Sequence, residues 1–320
     1  MLPPPPVPPP LPPPPPGLPP PPPPPVSAQR STPTENLGKD RGGIVLEQIY
    51  TSSIQESRKA LSSFLRSRGL SEENDSKSFT FISCYQPVVP VMQSGPLCGM
   101  VALAMASDLT GGHRVTTEEI LTHAQNLGYS KQGEMFSASS MCELASHFLP
   151  SQNEHVELNG DHRSECVMAA LTGGGLILMP YDADKNHSPC LRRGHKAHWA
   201  LVTGFFVVLS SDKELSWLKS LCEADTEHPN LWFWPNTASP SDQESLRRQC
   251  QTHLDNTFVF AHQGKSKHTG LWALSDLLRS NNNLEEAGPE RCADDYVIPE
   301  GGVRQGLNSQ MVVLRSARLS

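Results

Sequence analysis

Apolar residues recur at helical spacing through the first half of the chain and cluster in short β-rich runs through the second. Ile49, Ile54, Leu61, Phe64 and Leu65 share one face of a helix predicted over 47–69, which Gly69 would stop. "FTFISCY" (79–85) reads as a short strand. Pro96 suits the first turn of a helix that "CGMVALAMA" propagates from Cys98. "TTEEILTHAQNLG" (116–128) begins on threonine caps and ends in glycine. The stretch 137–149 places Phe136, Met141, Leu144, Ala145 and Phe148 on one face behind Ser137 as N-cap. Five β-branched or aromatic runs then predict strands at 174–181, 198–209, 256–263, 295–299 and 310–315. Residues 210–255 are polar and uneven and read as an insertion or long loop. Helices first and strands later predict an α+β fold with an antiparallel sheet.

Composition separates the ends from this pattern. Of the 31 prolines in 320 residues, 19 fall within residues 1–26. Each proline fixes φ and lacks an N–H, so this segment is expected to be a disordered, solvated polyproline II rod. Residues 27–44 are polar and turn-rich and read as a linker, leaving 45–320 as the folded domain. The first residues lack the basic and apolar regions of a secretory signal, and no apolar run reaches membrane-spanning length. Eight cysteines are spread singly, the pattern of reduced thiols in a cytoplasmic protein. A net charge of −7 argues against nucleic acid as a partner, and no membrane association is expected.

One cysteine stands where chemistry is favoured. A cysteine nucleophile needs a thiolate, a base and donors for an oxyanion. Cys98 in a first helical turn faces unpaired N–H groups and the positive end of the dipole, which favour the thiolate. Gly99 would leave room for a substrate. Gln93, five residues upstream, can offer its amide beside the Cys98 N–H to an oxyanion. His198 heads a strand whose alternation sets His198, Ala200 and Val202 on one face; His195 lies on the preceding loop and is less constrained. His187, Cys190, His195 and His198 also supply enough donors for tetrahedral zinc, a competing reading of the same run. The residues alone leave a packed cysteine, a nucleophile and a metal site open.

The blocks "GPLCGMVAL", "GYSKQGEMFS", "PYDADKNHSPCLRRGHKAHWA", "QGKSKHTGLW" and "YVIPEGGVRQGL" closely resemble the actin maturation protease family. The resemblance runs from about residue 85 to 314 and includes a proline-rich N-terminus. It implies a papain-like cysteine peptidase fold, a helical part carrying the cysteine and a sheet carrying the histidine. It implies cleavage of the acetylated N-terminal Met or Cys from immature actin, and a proline tract that binds profilin. By position, Cys98 is then the nucleophile, His198 the base and Gln93 the oxyanion donor, with no cofactor and no metal.

Papain-like sites orient the histidine with Asn or Asp after the next strand. Here "TFVFA" (257–261) runs into "HQGKS", and Gln263 is the residue chosen for that role; Asp255 and Asn256 precede the strand. Asp182 and Asp184 are candidates to shape the cleft. Arg192, Arg193 and Lys196 form a basic cluster suited to an acidic actin N-terminus, and Met135 and Phe136 suit a small apolar pocket. The rival function is a catalytically inactive polyproline adaptor built on a structural, zinc-binding domain.

Overall fold

A computed structural model describes residues 40–70, 78–210, 215–235, 237–252, 254–289, 291 and 294–316. The proline-rich segment, linker residues 27–39 and Cys292 lie outside the described residues. Contacts divide the chain after Gly42, and the unit from Gly43 to Ser320 holds the sheet and the site.

The sheet is organised by its longest strand, β4 (Ala197–Ser210), which is buried along nearly its whole length. One edge of β4 takes two partners in succession. Residues 197–202 pair antiparallel with β3 (Leu176–Asp182), and 204–210 pair antiparallel with β1 (Phe79–Tyr85). The other edge pairs with β7 (Thr257–His262) over Leu201–Val207, with a register shift between Val202 and Gly204. A Cβ on Gly204 would lie 1.9 Å from the Cys84 carbonyl oxygen. Glycine is required there because β1 closes on β4 at that point.

The shift exchanges the faces of β4. Ala200 and Val202 share one core cluster with Phe205, Val207 and Leu209, so inward positions are even before the bulge and odd after it. α5 (Arg163–Thr172), α7 (Pro240–Thr252) and α8 (Leu274–Asn281) cover this face. Trp199 and Leu201 face the opposite way, into a cluster with α2 (Cys98–Ser107), α3 (Thr117–Asn126) and α4 (Ala138–Phe148). Beyond the bulge, Phe206 and Val208 meet Leu61, Phe64 and Leu65 of α1 (Asp40–Ser67). Burying each of these large α1 side chains contributes roughly 2 kcal/mol.

Several expectations meet the structure directly. Thr116 caps α3 through a reciprocal bond with Glu119, and Ser137 caps α4. Others are corrected. α1 begins at Asp40, inside the segment read as linker. The sheet is mixed rather than antiparallel, because β6 (Leu231–Phe233) runs parallel to β1 and pairs with the short β5 (Glu223–Ala224). The stretch 210–255 is thus part of the fold, with α6 (Ser216–Leu221) and α7 inside it. No strand forms at 295–299, whose backbone is held by loop contacts instead. β2 (Ser151–Glu157) pairs with β9 (Gln310–Ser316) at one end of the sheet, β8 (Gly270–Ala273) pairs with β7, and α9 (Gly302–Leu307) precedes β9.

Candidate active site

Gly95 takes a left-handed φ of 68° and Pro96 follows, turning the chain into α2 with Cys98 as its first residue. Cys98 is buried. Burial pushes its thiol above the ordinary value, and the Trp199 N–H, the Arg291 charge and the N–H groups of Gly99 and Cys98 pull it partly back. Desolvation therefore outweighs the first-turn advantage expected for a thiolate, and the resting group is a thiol. Gly99 serves packing rather than substrate access. A Cβ there would lie 2.7 Å from Met141 Cε and 3.1 Å from Met135 Cβ.

His198 comes from the start of β4 and is 8% exposed. Its ring packs edge-on to Tyr181 at 5.7 Å and stacks on His187 at 5.8 Å. Burial pushes its pKa down to about 4, the Gln263 side chain opposes that shift, and Lys265 and Arg291 add to it. Nε2 is the buried ring nitrogen and makes no hydrogen bond of ordinary geometry, so the Gln263 contact is a loose one. Gln263 Oε1 itself accepts the Lys265 N–H at 2.6 Å, which fixes the direction of the amide. Gln263 reaches the ring because β7 leaves β4 after the pair Leu201–His262. His262 is held by Tyr85 Oη at 3.1 Å, while Asp255 and Asn256 sit at the far end of β7.

Gln93 is fixed by its backbone N–H to the Gly264 carbonyl at 2.7 Å, and its Nε2 donates to the Gly95 carbonyl at 2.8 Å. An amide nitrogen carries two protons, so one remains for a ligand. Gln93, Cys98 and His198 line a single cleft of about 400 Å³. Met135, Phe136 and Tyr296 give part of its lining an apolar character. Lys185, Arg192, Lys196, Lys265 and Arg291 make another part basic, in a chain whose net charge is −7.

The acidic groups are occupied in holding this lining together. Glu134 is 3% exposed and accepts the N–H groups of Lys131, Gln132 and Val297 at 2.8 Å each. It thereby ties the loop before α4 to the segment that carries Tyr296. Asp182, fully buried, accepts from the N–H groups of Arg192, Gly194 and Lys196 and so shapes the loop bearing the basic residues. Asp184 lines the cleft and folds its own turn through Asn186 and Ser188.

Two members of the expected clusters point elsewhere. Arg193 pairs with Glu285 and Glu286, and His195 with Glu286 at 2.9 Å, so neither joins the cleft lining. Among the described residues no group of three or more His, Cys, Asp or Glu is placed to hold a metal ion. The expectation missed Lys185, Lys265, Arg291, Glu134 and Tyr296. They reach the cleft from four loops, Arg291 and Tyr296 sharing the segment between α8 and α9, and no local spacing marks them.

A family profile described as actin maturation protease-like, C-terminal domain, matches residues 88–206, which include Gln93, Cys98 and His198. The chain is 37% identical to the actin maturation protease of Mus musculus over 70% of this chain and 61% of that protein. It is 39% identical to that of Bos taurus, over 70% and 64%. Against the protein of Danio rerio it is 34% identical over 78% of this chain and 79% of that one. The aligned part thus spans less than two thirds of the mouse and bovine proteins.

Proposed function

The chain belongs to the actin maturation protease family, and on that footing we propose that it is a cysteine protease that removes the acetylated N-terminal Met or Cys from immature actin. The observation that carries the reading is the convergence of Cys98, His198 and Gln93 on one cleft, with Gln263 against the imidazole. The arrangement is papain-like: a nucleophile at a helix start packs against a sheet that supplies the base.

In this reading the thiol and imidazole start neutral. The imidazole takes the Cys98 proton as Sγ attacks the acyl carbonyl, and Gln263 favours the charged ring that results. The oxyanion takes hydrogen bonds from the Cys98 N–H and the second Gln93 Nε2–H. Collapse expels the new amino terminus, which leaves with the proton from His198. Water, deprotonated by His198, then releases the acetylated residue from sulfur. Met135, Phe136 and Tyr296 supply an apolar surface for the departing side chain, and the basic lining favours carboxylates on the polypeptide that follows it. The proline-rich N-terminus recruits profilin-bound actin in the cytoplasm.

The test is an N-acetylated actin peptide incubated with the purified full chain and followed by mass spectrometry. Wild type releases the acetylated residue, and Cys98→Ala releases none while remaining folded, since alanine suits a first helical turn. Release by Cys98→Ala near the wild-type rate would refute the mechanism.

A further inference from the structure

The turn that follows β7 touches both sides of the proposed machinery. Gln263 contributes its amide to the His198 ring, and its Oε1 is fixed by the Lys265 N–H. The next residue, Gly264, accepts the Gln93 backbone N–H at 2.7 Å. Gly264 is buried, and its φ lies outside the left-handed region, so backbone freedom is not what requires glycine. Space requires it. A Cβ on Gly264 would lie 2.8 Å from Gln93 Oε1, 3.0 Å from Gln93 Cβ and 3.0 Å from Val101 Cγ1.

Gln93 needs this support because its own hydrogen bonds do not fix it fully. Its Oε1 is buried and has no hydrogen-bond partner. The amide is held by Nε2 on the Gly95 carbonyl and the Gln93 backbone by its bond to Gly264, while Oε1 lies only 2.8 Å from where a Gly264 Cβ would stand. A side chain at 264 would push the amide away from that position.

We propose that Gly264 is a positioning residue for the oxyanion donor: the Gln93 amide rests where a 264 side chain would be. One turn then sets both the partner of His198 and the place of Gln93, so base and oxyanion donor are registered to each other by consecutive residues. The inference rests on the reading of Gln93 as the oxyanion donor.

The experiment measures kcat and KM on the acetylated peptide for wild type, Gln93→Ala, Gly264→Ala and the double variant of the full chain. Gly264→Ala is expected to lower kcat about 10- to 100-fold with KM within about twofold, because the lost interaction is made in the transition state. The double variant should be no slower than Gln93→Ala, since both changes remove one interaction. The acid limb of the rate profile should stay at its wild-type position, as His198 keeps its partner. An undamaged Gly264→Ala, or losses that simply multiply in the double variant, would overturn the proposal alone. A Gln93→Ala variant at wild-type kcat would overturn the oxyanion reading and this inference with it.

Val101 provides the control, because it is the other group a new Cβ would meet. If Val101→Ala restores kcat to Gly264→Ala, the damage lies in α2 and the proposal fails; continued loss supports it. Should Gly264→Ala not fold, Val101→Ala/Gly264→Ala compared with Val101→Ala carries the same measurement.

Discussion

Burial sets the resting state of Cys98 and His198 in opposite directions, the thiol up and the imidazole down to about 4. Both are therefore neutral at pH 7, and in the proposed mechanism thiolate forms as the proton moves to His198 during attack. An ordinary histidine, with a pKa near 6.5, would lose its base function as pH falls through that value. His198 loses it only near 4. We therefore expect kcat/KM to hold between pH 7 and 5 and to decline below; an acid limb near 6.5 would contradict the burial argument. His198→Ala should cost orders of magnitude in rate and His195→Ala little, because His195 is paired with Glu286 outside the cleft. Gln263→Ala should fall between them. Gln263 favours the charged ring, so its removal should also move the acid limb further down, not up.

The bulge in β4 is the element on which the site depends. Before it the strand faces α2 through Trp199 and Leu201, and after it β4 pairs with β1 across Gly204. Gly204→Ala places a Cβ 1.9 Å from the Cys84 carbonyl oxygen, so β1 must separate from β4. We expect a loss of about 3 kcal/mol or more, read from the urea midpoint; an unchanged midpoint would show that the strands part there without cost. This scale also shows what a pattern can reveal. The alternation around His198 and the caps Thr116 and Ser137 were legible because each is local. α8 is local in the same way, since Leu274, Leu277 and Leu278 stand at helical spacing. β2 was hidden because "SQNEHVE" is an edge strand with no apolar face. "YVIP" mimics a strand in composition, yet Val297 gives its N–H to Glu134 instead of a neighbouring strand. Lys265 and Arg291 meet His198 only through tertiary folding, which no spacing encodes.

At the scale of the whole chain, an acidic body carries a cleft with a basic lining, and a segment with 19 of the 31 prolines precedes the folded unit. In the proposed function the cleft handles the end of a polypeptide. Proline-rich sequences dock in aromatic grooves at small entropic cost, and profilin, in the proposed function, would bring actin with it. A tethered carrier makes the second encounter intramolecular and raises the substrate concentration seen by Cys98. That gain depends on the substrate being attached to the carrier. Deleting residues 1–26 should therefore slow cleavage of profilin-bound actin at low concentration and leave a free acetylated peptide unaffected. Raising the actin concentration should close the gap, because mass action replaces the tether. Rates for both substrates, with and without profilin, decide the matter. If the deletion slows peptide and profilin-bound actin equally, the segment acts on the catalytic unit itself, and recruitment is not its role.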